Sequence, residues 1–156
     1  MLQNQLILDR SVKYMKHNWK KLNYDYIKKI IGINGDYLLD KWFDRSESYK
    51  NDHTKDLISL INKHFNKDNI NILDYGSGAG LDLINLLEIN ANLHGFEIDC
   101  DLIEISKKRL HELKINATIV NCSKKGIIDK YRNYFDLINS ADVLEHVIDH
   151  KEYIGN

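Results

Sequence analysis

The most constraining feature of the sequence is a short apolar run that ends in a glycine-rich turn. The run Asn69–Tyr75 (NINILDY) leads into Gly76, Gly78 and Gly80 within the segment ILDYGSGAGL. An apolar run of this length, bounded by glycines, is typical of a buried parallel strand. Glycines let the backbone turn tightly and approach a ligand closely. The segment therefore predicts a strand followed by a binding loop, at the strand end where ligands of parallel sheets are held.

From residue 68 onward, strand-like and helix-like segments alternate along the chain. Besides the first run, we predict strands at Leu93–Ile98, Ala117–Asn121 and Tyr134–Asn139. A short helix is expected after the glycines, and a longer helix over residues 101–114 carries Glu104 and Lys108 at a spacing that allows an ion pair. Alternation of this kind predicts an α/β fold with right-handed crossovers. The expected architecture is a Rossmann-like, mostly parallel sheet of about four strands with flanking helices.

The first part of the chain, up to about residue 67, has a different texture of helix and loop. Its apolar residues recur at helical spacing, as at Val12, Met15, Trp19, Leu22 and Tyr26. We therefore predict a helical amino-terminal extension or cap over residues 1–50 and a core over residues 51–156. Lysines interleave with aromatic residues in this extension, a pattern that also occurs in RNA-binding proteins. We interpret it as a solvated helix face opposite a packed aromatic face.

Composition and charge argue against several classes of partner. The chain has 22 Lys and Arg against 23 Asp and Glu, so its overall charge gives no reason to expect a nucleic acid or a membrane surface as partner. Its apolar runs are much shorter than the ~20 residues of a membrane span, and its first residues do not resemble a signal peptide. Cys100 and Cys122 have no metal-ligand spacing, and we expect both to be small buried groups in a reducing, cytoplasmic compartment. No metal site is predicted.

Two acidic residues define the chemistry expected around the glycine loop. Asp74 stands two residues before the first glycine, where it suits a cationic ligand and repels a pyrophosphate. The glycine spacing is G-x-G-x-G, whereas dinucleotide-binding loops read G-x-G-x-x-G, which disfavours the alternative of an NAD-dependent oxidoreductase. Glu97 ends the second predicted strand, about 20 residues later, where a carboxylate accepts hydrogen bonds from ribose hydroxyls. These residues predict a pocket for a ribose joined to a positive group, and S-adenosylmethionine is such a molecule.

Three motifs resemble those of class I S-adenosylmethionine-dependent methyltransferases. ILDYGSGAG resembles the first motif of that family, GFEID the end of its second strand, and YFDLINSADVLEHVIDH the region around its fourth strand. The VLEHV portion is similar to the small-molecule branch that includes ubiquinone-biosynthesis O-methyltransferases. The motifs stand in the order and spacing of the family, over residues 42 to about 151. The resemblance implies transfer of a methyl group, by in-line displacement, to the oxygen or nitrogen of a small-molecule acceptor.

The resemblance also implies roles for residues at the strand ends. The amino-acid part and sulfonium side of the cofactor would be cradled by Asp74, Gly76, Ser77 and Gly78. Glu97 would hold the ribose and Ile98 would pack on the adenine. Tyr49, together with Trp42 and Phe43, would form an aromatic flap over the cofactor, and packing against the sheet is the alternative for Trp42 and Phe43.

Further roles fall near the third and fourth strands. The floor near the methyl group would be lined by Asn139, Ser140 and Ala141. The aspartate that meets adenine in the family is absent here, and the aligned residues are Asn121, Cys122 and Ser123. A general base is needed only for a hydroxyl acceptor, and the candidates are Asp142, Glu145 and His146. For His146, a helix-start residue bonded to local backbone is the favoured interpretation.

The length of the chain leads to a last expectation. The family sheet has seven strands in the order 3-2-1-4-5-7-6, and we find four, so we expect an incomplete core that catalyses poorly or not at all alone. The fourth strand would then be an apolar edge able to recruit a second copy or a complementing chain. A non-catalytic or fragmentary cofactor-binding module is the alternative function.

Overall fold

The alternation of strands and helices predicted from residue 68 onward is present in a computed structural model, which describes residues 18–19, 21–32, 47–65 and 69–146. The helices are α1 (Tyr24–Ile31), α2 (Glu47–His64), α3 (Leu81–Asn85) and α4 (Cys100–Glu112). The strands are β1 (Ile70–Tyr75), β2 (Ala91–Glu97), β3 (Ala117–Asn121) and β4 (Leu137–Asn139). Single 3₁₀ turns lie at Leu86–Glu88, Ile128–Tyr131 and Leu144–His146. Val12, Met15, Trp42 and Phe43 lie outside the described residues.

The four strands form one parallel sheet in the order β3-β2-β1-β4. Ile72, at the centre of β1, pairs with Leu93 of β2 on one side and with Leu137 of β4 on the other. Strands β2 and β3 are added on one side of β1 and β4 on the other, so the connections after β1 and β4 leave the sheet around a crevice that suits ligand binding. The predicted α/β, Rossmann-like class is confirmed. Within the described sheet β4 is an edge, and association through it stays a prediction.

Helix α4 is the crossover from β2 to β3, and its sequence accounts for both its amino-terminal cap and its buried face. Its first turn is capped by Asp99, whose side chain accepts the N–H groups of Asp101 at 2.8 Å and of Leu102 at 3.2 Å. Its inward residues Leu102, Ile105 and Leu110 are buried in the core, as their spacing predicts.

The predicted ion pair between Glu104 and Lys108 is wrong. Lys108 pairs instead with Glu112, one turn further along the helix. Glu104 accepts a hydrogen bond from the hydroxyl of Tyr26 at 3.1 Å. This difference arises from tertiary packing, because α1 lies against this side of α4 and its Tyr26 hydroxyl offers Glu104 another donor.

The fourth strand is shorter than the predicted Tyr134–Asn139. Asn133 has a positive φ of 58°, and the N–H of Tyr134 donates to the carbonyl of Tyr131, so the chain is still turning at these residues. Pairing with β1 begins at Leu137. Only the second half of the predicted run pairs with β1 as a strand, and its first half packs against other side chains.

Tyr134 and Phe135 join an aromatic cluster on one face of β2. The rings of Tyr134 and Phe135 lie 5.2 Å and 5.3 Å from the ring of His94, both edge to face. Phe96 contacts the same group, with its centroid 5.1 Å from that of Tyr131. Edge-to-face contacts at these separations are favourable for aromatic rings. Burial in the cluster lowers the pKa of His94, so this histidine is a neutral packing residue at physiological pH.

The amino-terminal helical segment packs on the same core as the sheet. Trp19 and Ile27 are fully buried and belong to the cluster that also contains Ile72 and Ile105. The predicted division of the chain at residue 50 stays a prediction. None of the helices in the described ranges is long and apolar enough to cross a bilayer.

Candidate functional site

A cleft with a volume of about 490 Å³ opens at the carboxyl ends of β1 and β2. This size falls within the range of about 300–1,000 Å³ common for small-molecule sites. The cleft brings together most of the site residues predicted from the sequence, which are Asp74, Gly76, Ser77, Gly78, Glu97, Ile98, Cys122, Ala141, Asp142 and His146. The parallel arrangement explains the convergence, because segments distant in sequence all end at this edge of the sheet.

The backbone N–H groups of the glycine loop are largely used within the protein. Gly76 and Ser77 both donate to the carbonyl of Phe96, at 2.8 Å and 3.0 Å. Gly78 donates to Oε2 of Glu97 at 2.8 Å. A loop that cradles phosphates must instead point its N–H groups at the ligand. These donors are therefore not offered to an anion in the cleft.

Glu97 fastens the glycine loop to the end of β2. Besides the Gly78 contact, its Oε1 accepts from the N–H groups of Ile98 at 2.7 Å and Asp99 at 3.0 Å. The side chain is buried, so these three charge-assisted bonds are strong. Oε2 accepts from Gly78 and, as a carboxylate oxygen, keeps capacity for a second donor. Glu97 can thus organise the loop and still accept a ligand hydroxyl.

Asp74 lies buried at the base of the cleft. Asn139 donates from Nδ2 to Oδ1 of Asp74 at 2.8 Å, and the same nitrogen lies 3.4 Å from Oδ2 of Asp82. Burial raises the pKa of the Asp74 carboxyl, and the negative charges of Asp82 and Glu97 raise it further, while the Asn139 hydrogen bond lowers it in part. In the ligand-free fold Asp74 therefore keeps its proton at pH values below this raised pKa, and a cationic ligand would favour the ionised form.

The raised pKa of Asp74 gives a prediction for stability. Its folded-state pKa lies above the ordinary value of 3.8, so between these two values the folded protein keeps a proton that the unfolded chain has lost. Stability from this group is complete below about pH 4 and falls as the pH rises toward the folded pKa. We expect Asp74→Asn, which cannot ionise, to be more stable than the wild type by on the order of 2 kcal/mol at pH 8.

Thermal unfolding of the ligand-free protein between pH 5 and pH 8 measures this effect. The difference between Asp74→Asn and the wild type should widen as the pH rises. Asp129→Asn is the control, since Asp129 is exposed on a 3₁₀ turn, and its difference from the wild type should stay flat. A difference for Asp74→Asn that narrows toward pH 8 would contradict the assignment of a buried, destabilised carboxylate.

The side chains of Ser77 and Asn139 are buried within the protein, and Ser140 does not line the cleft. The hydroxyl of Ser77 is buried over β2, where a Cβ atom at Gly95 would lie 2.6 Å from it, so Ser77 offers the cleft its backbone. Asn139 lies behind Asp74, which it supports. Ser140 follows β4 and is half-buried, and neither Asn139 nor Ser140 lines the cleft.

The three residues after β3 also separate into distinct positions. Asn121 and Ser123 bond to each other, since Oδ1 of Asn121 accepts from the N–H of Ser123 at 3.0 Å and from its hydroxyl at 2.6 Å. Cys122 alone of the three lines the cleft, and burial together with the charge of Glu97 raises the pKa of its thiol. The edge of the cleft where the family carries an aspartate is thus formed here by a neutral thiol.

The expectation that both cysteines are buried is wrong. Cys122 is half-buried, and Cys100 is exposed because it stands in the first turn of α4, on the side that faces solvent. Both are free thiols. No group of three or more His, Cys, Asp or Glu side chains suited to a metal ion occurs in the part of the chain that the structure describes.

The candidate bases lie at the rim of the cleft. Asp142 lines it with a positive φ of 54°, and His146 lines it from the 3₁₀ turn that follows. The N–H of His146 donates to the carbonyl of Val143 at 2.9 Å, the bond between residues three apart that closes the 3₁₀ turn Leu144–His146, and a helix start at His146 stays a prediction. Glu145 is exposed and its Oε1 lies 4.0 Å from Nε2 of His146. A catalytic role for these three residues stays a prediction.

The Tyr49 side chain, predicted as part of an aromatic flap, lies outside the described residues.

Sequence reasoning missed several of the residues that line the cleft, and two of them, Asp82 and Val143, contact the predicted site residues. Asp82, in the first turn of α3, lines the cleft and joins Asp74 in the charge cluster. Val143 packs so closely against Gly76 that a Cβ atom there would overlap its Cγ2. An acidic residue two positions after the last loop glycine was the available signal for Asp82. Val143 carried none, because its contact spans two distant segments.

Comparisons with known proteins bear on this geometry. A profile of the family described as a methyltransferase domain matches residues 44–156. Among curated proteins, the chain is 30% identical over 99 residues to the ubiquinone biosynthesis O-methyltransferase of Coxiella burnetii, a match over 64% of this chain and 39% of that protein. It is 23% identical over 114 residues to the protein of the same name from Nitrosospira multiformis, over 72% and 48% of the two chains. The chain thus spans between about a third and a half of the length of these relatives.

A solved structure agrees in fold. The chain is similar to a protein from Methanococcus maripaludis, provisionally described as an S-adenosyl-L-methionine-dependent methyltransferase, with a TM-score of 0.53 and 19% identity over 94% of this chain and 55% of that one. At this identity the likeness shows the fold alone. The family profile, in contrast, covers the glycine loop, Glu97 and the VLEHV segment together, and it confirms the resemblance that these motifs carry. The chain belongs to the methyltransferase domain family.

Proposed function

We propose that the cleft binds S-adenosylmethionine and serves methyl transfer to an oxygen or nitrogen of a small-molecule acceptor. One observation carries this proposal. The loop that would hold a pyrophosphate uses its N–H donors inside the protein, while four acidic side chains line the cleft, those of Asp74, Asp82, Glu97 and Asp142. Lysine and arginine do not occur among the described lining residues. A cleft with this charge suits a cation.

The residues present fit the parts of the cofactor. Glu97 would hold the ribose, because its Oε2 retains acceptor capacity toward the cleft. Asp74 and Asp82 would face the positively charged amino-acid and sulfonium side. Ile98 is 66% exposed, which leaves its side chain available as an apolar wall for adenine, and Leu102 lines the same cleft. Covering these apolar surfaces adds to the binding free energy.

When bound, the cofactor supplies a methyl group already activated by the positive sulfur. The chain must then orient the reactants and exclude water, which can contribute about 7–11 kcal/mol in ideal cases. His146 and Asp142 line the cleft, and we take them as the candidates to accept a proton from a hydroxyl acceptor. The names of the curated relatives support an oxygen acceptor. We place the reaction in a reducing, cytoplasmic compartment, which the two free thiols support.

Calorimetric titration tests the proposal. S-adenosylmethionine, its product S-adenosylhomocysteine and NAD are titrated separately into the purified chain. We expect saturable binding of the first two with micromolar affinity, about −8 kcal/mol, and none of NAD. Preferential binding of NAD would overturn the proposal in favour of an oxidoreductase. Binding of S-adenosylmethionine without methyl transfer to any of a panel of phenol and amine acceptors would identify a non-catalytic module.

A further inference from the structure

Helix α4 carries a buried cation directly behind the glycine loop. Arg109 is only 4% exposed, and its Nη1 donates to the carbonyl of Ala79 at 3.3 Å. Burial lowers the pKa of its guanidinium to about 10, so the group remains charged at physiological pH. Ala79 lies in the cofactor loop, between Gly78 and Gly80. A charged donor therefore holds the loop from the side opposite the cleft.

The contact of Arg109 belongs to a wider seat for the loop. A Cβ atom at Gly80 would lie 3.5 Å from Cβ of Ser106 and 3.7 Å from Leu110 of α4. Positions 106, 109 and 110 share one face of a helix, being three and four residues apart. The loop thus rests on a single face of α4, with Arg109 as the polar member of that face.

The other side of Arg109 faces the amino-terminal helical segment. Its Cζ lies 5.5 Å from the centroid of the Trp19 ring, within the range of a cation–π contact. Trp19 is fully buried, and its Nε1 donates to Oε2 of Glu112 at 2.8 Å. Asn23 donates to the same oxygen at 3.3 Å. Trp19 is therefore fixed against α4 at both its ring face and its nitrogen.

We infer that Arg109 is a positioning residue that couples docking of the amino-terminal segment, through Trp19, to the geometry of the glycine loop. The inference rests on the proposed function, since it makes cofactor affinity depend on a residue outside the cleft. A buried cation is a costly way to fill a core, because an apolar side chain of similar volume is often as stabilising. An apolar side chain such as methionine at position 109 could not donate the hydrogen bond to Ala79 or make the cation–π contact with Trp19.

Two readouts on the full chain test the coupling. Amide hydrogen exchange of Gly78 and Gly80 reports loop order without any ligand, and calorimetry with S-adenosylhomocysteine reports affinity. Arg109→Met removes the charge and keeps the length, while Arg109→Lys keeps the charge without the planar contact. Trp19→Leu removes the ring. Ile61→Ala, a buried position on a different helix, controls for a general loss of core packing.

We expect Arg109→Met to speed exchange at the two loop amides and to weaken binding, each about tenfold, or about 1.4 kcal/mol. Arg109→Lys should change the exchange rates and the affinity in the same direction as Arg109→Met, but by less. In the wild-type background Trp19→Leu should weaken binding about fivefold. In the Arg109→Met background the same substitution should weaken binding less than twofold, because the contact between the two residues is already lost. Ile61→Ala should lower the Tm and leave both readouts unchanged.

The outcomes separate this inference from the proposed function. Wild-type exchange at Gly78 and Gly80 in Arg109→Met, or additive effects of the two substitutions on affinity, would overturn the coupling. Faster loop exchange in a protein that fails to bind S-adenosylhomocysteine would uphold the positioning of the loop and overturn the proposed ligand. If Arg109→Met does not fold, the same comparisons are made with Arg109→Lys, for which wild-type values in both readouts overturn the inference.

Discussion

Replacing Glu97 with alanine is expected to weaken binding of S-adenosylhomocysteine by at least about tenfold. The carboxylate accepts the N–H groups of Gly78, Ile98 and Asp99, and the capacity that remains on its Oε2 would accept one ribose hydroxyl. A hydrogen bond to a charged group contributes about 1.5–3 kcal/mol, so loss of this one ligand bond alone weakens binding roughly tenfold to a hundredfold. Loosening of the loop at Gly78 adds to this loss.

The isosteric variant Glu97→Gln makes the test sharper. Its amide nitrogen would face backbone N–H donors that the carboxylate oxygen now satisfies, so we expect a loss of affinity close to that of alanine. Asp101→Ala removes an exposed carboxylate from the first turn of α4 and should bind as the wild type does. Circular dichroism establishes that each variant is folded before titration. A folded Glu97→Ala protein with wild-type affinity would remove Glu97 from the ligand site.

Much of the sheet could be predicted because its signals are local. β3 has the predicted bounds, and β1 and β2 differ from the prediction by one or two residues at their ends. Each is a short apolar run bounded by turn residues, which a strand buried on both faces requires. The observed order β3-β2-β1-β4 is the one that the family resemblance implied for the first four strands. Local patterning therefore sufficed for the fold class.

Two of the failures involve contacts between distant segments. The sequence before β4 is as apolar as the strand itself, and it packs in an aromatic cluster because His94 and Phe96 present a surface for it. Glu104 and Lys108 have suitable helical spacing, yet the Tyr26 hydroxyl and Glu112 compete for them. Spacing along one element defines which pairs are possible. It does not define what a neighbouring element offers.

Local signals in the sequence likewise predicted some residues of the candidate site and missed those held by contacts between distant segments. Asp74, Glu97 and the glycines were predictable, because strand ends of a parallel sheet meet at one edge. The supporting contacts of Asn139 with Asp74 and of Arg109 with the loop were not, since each joins segments that are remote in the chain. Sequence reasoning also gave Gly76 and Gly78 one shared purpose, close approach of the backbone to the ligand. Their surroundings in the structure differ.

Gly76 and Gly78 both have positive φ, of 81° and 50°, but a side chain would meet different obstacles at each. At Gly76 a Cβ atom would overlap Val143, so this glycine is required by the packing of the protein. At Gly78 a Cβ atom would have no neighbour within 4 Å, although the residue lines the cleft. We therefore predict that Gly78 is required by the space left for the ligand.

Gly78→Val is accordingly expected to reduce binding of S-adenosylhomocysteine by more than about a hundredfold in a folded protein. Gly126→Val is the matched control, since Gly126 has a φ of 74°, no neighbour within 4 Å of a Cβ atom, and a position outside the cleft. Both variants carry the left-handed backbone strain of about 1–2 kcal/mol, and only Gly78→Val should lose the ligand. Gly76→Val adds an overpacking cost of about 1–3 kcal/mol and should unfold at a lower temperature than either. Equal affinities for folded Gly78→Val and Gly126→Val would show that the loop does not contact the cofactor.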